Sequence, residues 1–423
     1  MKNIQSILDS GVCTGCGICS NICPKSCIKT YLDAEKGYYS TKLDNQTCVN
    51  CDLCKNVCPI YTWNNQTGNS FVGNVEKIYS GFSNNATHRR ESASGGITTS
   101  ILIYMFQKSL IDAAVVAFRK KENPLESELR IVSSVEEIYE SKGSVYAPTS
   151  YNEIIDKIIE SPFTKFAIVG LPCHIEGITR LSSLNKKLRA KIFLKLALVC
   201  GHTPSIKGYD YSLKHLNIRK ESVTFISNRG NGWPGVLKIK MNNNTERQLP
   251  HGSKYSWGMT LSSLLFTPQG CRHCIDSTGY SADISICDAW IQKFKSDKIG
   301  RNLILVRNEK ALSILREMRN QEIISLNEEL LGDFIEANKT VFKEKLVINK
   351  YRNRALIRKH GFYSNVIFCQ SGSRVASFFI GILLFSENIY NRVFGIKFIN
   401  NCILFTFKVL KYLSLKWIIL KKY

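Results

Sequence analysis

The sequence predicts a chain of mixed α+β and α/β class in three parts: a small cysteine-rich head over residues 1–63, a mixed-sheet α/β domain over 71–345 and a basic helical tail over 346–423. Three observations lead there. One cysteine spacing is written twice near the N-terminus, short apolar runs alternate with helical stretches through the middle, and the end of the chain is apolar and rich in Lys and Arg.

Composition narrows the classes. The 423 residues include 16 cysteines, and 44% are hydrophobic against 22% charged, a globular rather than a disordered balance. So many cysteines suggest disulfides in a small secreted chain, whereas this chain is long and its opening MKNIQSILDSG has no apolar signal core. The thiols are therefore expected to be metal ligands in a reducing cytoplasm. Against 34 Asp and Glu stand 57 Lys and Arg, a formal net charge of +23. That surplus suits an acidic electron donor, a ferredoxin or flavodoxin, or an anionic membrane face. The sequence has no aromatic-plus-basic RNA motif, paired-His zinc finger or helix-turn-helix, so no nucleic-acid partner is expected.

The head repeats Cys-x2-Cys-x2-Cys-x3-Cys-Pro, as CTGCGICSNICP (Cys13, Cys16, Cys19, Cys23) and again as CVNCDLCKNVCP (Cys48, Cys51, Cys54, Cys58). Three thiolates at this spacing turn inward to three irons of one cube, and the fourth, ahead of a proline, points away. In bacterial dicluster ferredoxins that fourth cysteine ligates the other cluster. The expected sets are Cys13, Cys16, Cys19 and Cys58 for one [4Fe-4S] cluster, and Cys48, Cys51, Cys54 and Cys23 for the second. Zinc sites favour paired Cys-x2-Cys knuckles instead. Gly15 and Gly17, lying between ligands, let the backbone approach sulfur. Cys27 is surplus to the pattern and reads as a plain buried thiol.

After the polar linker TWNNQTGNS (Thr62 to Ser70) the pattern changes. AAVVAF (Ala113 to Phe118), FAIVG (Phe166 to Gly170), FLKLALV (Phe193 to Val199) and DISIC (Asp283 to Cys287) read as strands, with helical stretches between several of them. SASGG (Ser92 to Gly96) precedes a helix predicted to start at Ile97, a place where free N–H groups suit a phosphate. SKGSVYAPT offers Lys142, Ser144 and Tyr146 in a turn. GLPCHIEGI and VCGHTPS each put a cysteine just past a strand, where ligands collect in open α/β sheets. CRHC supplies Cys271 and Cys274 as a metal half-site that Cys173, Cys200 or Cys287 completes; with Cys200 and His202 as the other half the metal would be zinc, and a third iron–sulfur cluster is the favoured reading. Of His174, His202 and His273, His202 is preferred as a proton donor for its strand-end position.

Taken in order, SASGG, SKGSVYAP, GLPCHIEGI, CGHTPS, CRHC and ADISICDAW resemble the family of coenzyme F420 hydrogenase and dehydrogenase beta subunits, preceded by the dicluster ferredoxin domain that many members carry. The resemblance runs from Met1 to Lys345. It implies an iron–sulfur flavoprotein oxidoreductase whose α/β domain binds FAD between one-electron clusters and an organic substrate, or a subunit that relays electrons to a partner dehydrogenase or reductase. By the motif match, Ser94, Gly95 and Gly96 would lie at the FAD phosphates, Lys142, Ser144 and Tyr146 in the flavin-side loop, and Cys173, Cys200, Cys271 and Cys274 at a third [4Fe-4S] cluster. Where the family usually reads Gly-Asp-x-Trp, this chain has Cys287-Asp288-Ala289-Trp290, which leaves the role of Cys287 open. The Cys-His-x-Pro-Ser segment at Cys200 and the basic tail look nearer to members associated with surface-polysaccharide synthesis, so deazaflavin is not the first substrate expected.

In the tail, the longest uncharged stretch near Phe378 runs only from Val375 to Ser386, short of the ~20 residues that span a bilayer. From Ser371 to Tyr423 eight Lys or Arg stand against the single acid Glu387. Helices lying on an anionic membrane surface or packed on protein both fit, which places the chain in the cytoplasm or at the inner membrane face.

Overall fold

The computed structural model describes residues 3–61, 72–253, 255–262 and 264–349. The linker from Thr62 to Ser70 and nearly all of the tail expected over 346–423 lie outside the described residues.

The head is built on an antiparallel hairpin of β1 (Ile28–Asp33) and β2 (Tyr38–Leu43), with three short helices, Gln5–Asp9, Ile18–Ile22 and Leu53–Asn56, around it. Helices this short do not hold by propensity. They are fixed by burial, since Ile7, Ile18 and Val57 are almost wholly enclosed.

The α/β domain is an eight-stranded mixed sheet in the order β13-β3-β12-β11-β7-β6-β4-β5, formed by β3 (Lys77–Ser83), β4 (Ala113–Arg119), β5 (Ser127–Val132), β6 (Phe166–Gly170), β7 (Ile192–Leu198), β11 (Ile284–Asp288), β12 (Asn302–Val306) and β13 (Ile324–Glu328). Its centre, β4-β6-β7-β11, is parallel, and both flanks pair antiparallel. The four strands read from the sequence are these four central ones. Their apolar runs are continuous because helices cover both faces, as parallel sheets require. The helix Ile97–Gln107 begins where expected, directly after Gly96 at φ +78°. Its Ile97, Ile101 and Met105 recur every fourth residue and are fully buried.

A second sheet, β10-β9-β8, made of β8 (Val223–Ser227), β9 (Val236–Met241) and β10 (Glu246–Pro250), was not read from the sequence. Its outer strand ERQLP is mostly exposed and carries too few apolar residues to show an alternation.

Head and α/β domain share one core. Ile18, Val57 and Ile60 of the head cluster with Ile175, Ile178 and Leu181 of the helix Pro172–Leu184 that follows β6. At the seam the Tyr151 amide donates to the Cys16 carbonyl at 2.8 Å, and Asn152 Nδ2 donates to the Thr30 carbonyl at 3.1 Å. Gly17, at φ +77°, lies so close that a Cβ would meet Ser150 Oγ at 2.3 Å and the Asn152 amide nitrogen at 2.7 Å. The glycine between Cys16 and the helix from Ile18 thus serves the contact between the two domains. Gly17→Ala meets both the left-handed backbone and the clash. Its thermal midpoint should fall by the equivalent of more than about 1 kcal/mol, and further than that of Gly252→Ala, a control with φ +86° and open space around it.

Candidate functional site

Fourteen cysteines are described, all free, and most fall into three groups. In the first, Cys16, Cys13, Cys58 and Cys54 act electrostatically on Cys19, and Cys16 and Cys13 on Cys58. The last cysteine of the second repeat thus lies within electrostatic reach of the triad of the first. The second group, Cys48, Cys51 and Cys54, shares a small cavity with Cys23 and Cys27. Cys27 is buried, as expected, and its Sγ lies 3.2 Å from Cys23 Sγ on the wall of that cavity. Polar hydrogens are directed at these sulfurs, from the Gly15 amide to Cys13 Sγ at 3.4 Å and from Asn3 Nδ2 to Cys48 Sγ at 3.7 Å.

The third group forms far from the head in sequence and beside it in space. Cys173, past the end of β6, Cys200, past the end of β7, and Cys271 and Cys274 of the helix Gln269–His273 and its C-cap line one small cavity together with Thr14, Asp276 and Lys345. Cys16 of the head acts electrostatically on Cys173 across the seam. Gly270 makes this approach fit, since a Cβ there would meet the Cys13 carbonyl oxygen at 2.2 Å.

Burial pushes the Cys16 thiol up to about 11 and that of Cys200 up to about 12, and it also raises Cys13, Cys19, Cys58, Cys173 and Cys271. Without a positive centre these sulfurs would all keep their protons. A metal reverses that, because thiolate ligation releases the protons and the metal charge stabilises the anions. Among the described residues no three His, Cys, Asp or Glu side chains converge as a single ion needs. A cubane asks for something else, since its four thiolates go to four separate irons. Both donor chemistry and grouping suit such clusters. The zinc alternative with His202 does not fit, because His202 stands outside the thiol cavity with Nε2 on the Leu261 carbonyl at 3.1 Å.

Next to the third group opens a cavity of about 550 Å³ over the C-terminal ends of the parallel strands, within the size range of cofactor and ligand pockets. Leu171, His174, Cys200 and Thr203 line both this cavity and the thiol cavity. Its walls gather the motifs singled out from the sequence: Ser94, Gly96 and the first turn of the helix from Ile97, Ser144 and Tyr146, and Cys287, Asp288 and Trp290. Two expected residues are placed differently. Lys142 turns from the cavity to pair with Glu91 at 3.4 Å and to lie over the Tyr139 ring at 3.9 Å. Gly95 packs instead against the Gly81 carbonyl and Asn302, where a Cβ would meet the former at 2.6 Å. Ser94 Oγ donates to the Arg301 carbonyl at 2.7 Å, so its hydroxyl first shapes the loop. His174 is buried and its pKa is driven down to about 4 by burial, so it stays a neutral imidazole between the two cavities.

Arg229 was not singled out from the sequence, yet it joins three of the motifs. Its guanidinium donates to the Ala93 carbonyl and Asp288 Oδ2, each at 2.6 Å, and to Tyr146 Oη at 3.2 Å. Burial works against its charge, but Asp288 and Tyr146 outweigh it and hold the pKa above the ordinary value. Trp233 Nε1 donates to the same Asp288 oxygen at 3.3 Å and its ring lies 4.3 Å from that of Trp290. The only signal for Arg229 was a turn-forming SNRGNG run ahead of β9.

Residues 78–156 match the family described as coenzyme F420 hydrogenase/dehydrogenase beta subunit, N-terminal part, and residues 163–329 match its C-terminal part. The chain belongs to this family. Residues 12–61 match the 4Fe-4S dicluster domain, so beta-subunit domain and iron–sulfur head lie on one chain. The relatives include an uncharacterised protein of Methanocaldococcus jannaschii, 30% identical over 52% of this chain and 57% of its own length. A subunit of the F(420)H(2) dehydrogenase of Methanosarcina mazei is 25% identical over 79% of this chain and 91% of its own. The coenzyme F420-dependent sulfite reductase of M. jannaschii is 24% identical over 77% of this chain, which spans only 49% of that protein. A chain of the F420-reducing [NiFe] hydrogenase complex of Methanosarcina barkeri has the same fold, with a TM-score of 0.53 over 69% of this chain and 95% of that one at 17% identity. The chain is thus an iron–sulfur oxidoreductase component. No helix among its described residues is long and apolar enough to cross a membrane.

Two outcomes follow for this beta-subunit relative. Arg229→Ala leaves the partly buried Asp288 without its cation and the Ala93 carbonyl without its donor, and stability should fall by about 1–3 kcal/mol, read from thermal unfolding. Cys58→Ala should empty the set of Cys13, Cys16 and Cys19 although it lies in the other repeat, read as a loss of about four irons per chain.

Proposed function

We propose that the chain passes electrons along three [4Fe-4S] clusters, from the head through the set Cys173, Cys200, Cys271 and Cys274, to FAD in the 550 Å³ cavity, where an organic substrate is reduced or oxidised. The observation that carries this reading is the serial order of the sites. Thr14 of the head lines the third thiol cavity, and Leu171, His174, Cys200 and Thr203 form the wall that this cavity shares with the large one.

Bound FAD would supply the exchange between one-electron and two-electron chemistry. The chain's own residues bind and orient it. The first turn of the helix from Ile97 and the loop Ser92–Gly96 line the cavity and would offer a phosphate their backbone N–H groups other than those of Ser92 and Ile97, which donate to the His88 carbonyl and Asn302 Oδ1, and Arg229 locks that loop to Tyr146 and Asp288. Exposed Trp290, against Trp233 and with His251 at a ring distance of 5.8 Å, offers a planar apolar rim for a substrate. The names of several relatives record F420, a two-electron carrier of the class such a rim would serve. A role in surface-polysaccharide synthesis has no support in those names.

A second reading has its own observation. Two relatives are named as parts of larger enzymes, one a subunit of an F(420)H(2) dehydrogenase and the other the beta subunit of an F420-dependent formate dehydrogenase. On that reading the chain relays electrons to or from a catalytic partner.

Anaerobic reconstitution separates these readings. The full chain should hold about twelve irons, four per cube, and one FAD, with Cys200→Ala falling to about eight irons. Flavin that reduces through the head and is reoxidised by a small molecule supports the complete enzyme. Reoxidation only on adding a second protein supports the relay, and absence of any bound flavin contradicts the complete flavin enzyme.

A further inference from the structure

Lys345 brings a charged group into the third thiol cavity. It sits on the helical segment Lys343–Ile348 and is only 2% exposed, one of the most completely buried large side chains of the protein. Its neighbour Glu344 lines the large cavity while Lys345 lines the thiol cavity, so the segment divides its charges between the two. The Lys345 ammonium meets the Cys274 thiol and faces Cys200 and Cys271. The segment is pinned there by Asn349, whose Nδ2 donates to the carbonyls of Cys271 at 3.3 Å and Cys274 at 2.7 Å.

A buried ammonium needs an anion. Asp276, also buried, lines the same cavity and faces both Lys345 and Arg307, and its Oδ1 accepts from the amides of Thr278 at 3.0 Å and Gly279 at 2.8 Å. The other groups facing Lys345 are the thiols of Cys200, Cys271 and Cys274 and the Tyr280 phenol. Among the described residues the buried Lys and Arg side chains are Lys345 and Arg229, and Arg229 is engaged by Asp288. Among the described residues of the head no lysine or arginine is as deeply enclosed: Cys13 faces Lys36, whose side chain is 53% exposed, and Cys54 faces Lys55, whose side chain is 15% exposed and pairs with Asp52 at 3.9 Å.

A cubane with four thiolates carries roughly −2 when oxidised and about −3 when reduced. A cation fixed beside it in a low-dielectric cavity stabilises the more negative form more strongly. We propose that Lys345 is a positioning residue that raises the reduction potential of a [4Fe-4S] cluster held by Cys173, Cys200, Cys271 and Cys274 above those of the two head clusters. Electrons entering the head then settle beside the large cavity. This rests on reading the third thiol set as a cluster site.

The test is a spectroscopically monitored redox titration of the anaerobically reconstituted full chain, in wild type, Lys345→Met and Lys345→Arg, with Cys200→Ala identifying the third centre by its absence. In Lys345→Met the third midpoint should move to more negative potential while both head midpoints stay, and Lys345→Arg should keep the wild-type value. Loss of about four irons in Lys345→Met with full occupancy in Lys345→Arg also supports the role, since the charge is then what holds the cluster. An unchanged or more positive third midpoint in Lys345→Met, or the same change in both variants, overturns it. A wild-type chain with only about eight irons overturns the cluster reading and the role of Lys345 together.

Discussion

Gly17 and Gly270 bring backbone from the head and from the α/β domain closer together than any side chain permits, and the order of the sites depends on that seam. Without it the head would be a tethered carrier, free to serve any acceptor. With it, Cys16 and Thr14 of the first repeat stand against the cavity of Cys173, Cys200, Cys271 and Cys274, and the shared apolar core of Ile18 with Ile175 and Ile178 holds them there. The packing is dense on both sides, so a displaced head would open a void as well as break hydrogen bonds.

The same seam creates an electrostatic problem. Burial raises the thiols of both partners, and a site that must hold thiolates has to supply positive charge. Bound iron would supply most of it. In the third cavity Lys345 adds a fixed cation, so sequence segments around positions 14, 173, 200, 271 and 345 meet at one site. In the large cavity the corresponding element is Arg229, which ties together the loop at Ala93, Tyr146 and Asp288.

Much of this was legible in the sequence because the signals are local. The dicluster head follows from a spacing, the parallel strands from continuous apolar runs, and the start of the helix at Ile97 from the glycines before it. The four cysteines of the third cavity were grouped through their motif resemblance, and the structure brings them to one place. What escaped were side chains whose role depends on the fold. Arg229 lies in a turn-forming run that says nothing of burial, Lys345 in a segment with no pattern of its own, and nothing in a row of letters distinguishes a buried lysine from an exposed one. Lys142 was misplaced for a related reason: it sits in the right loop, but Glu91 and Tyr139 offer it a better partner outside the cavity.

The central claim is that electrons reach the large cavity through the third thiol set. Rapid mixing of the reconstituted chain with a reduced ferredoxin, following cluster and flavin absorbance separately, addresses it in wild type and in Cys200→Ala. The account predicts that the head clusters of Cys200→Ala are reduced as in wild type while reduction at the large cavity is lost or slowed by orders of magnitude. Flavin reduction as fast in Cys200→Ala as in wild type would contradict it.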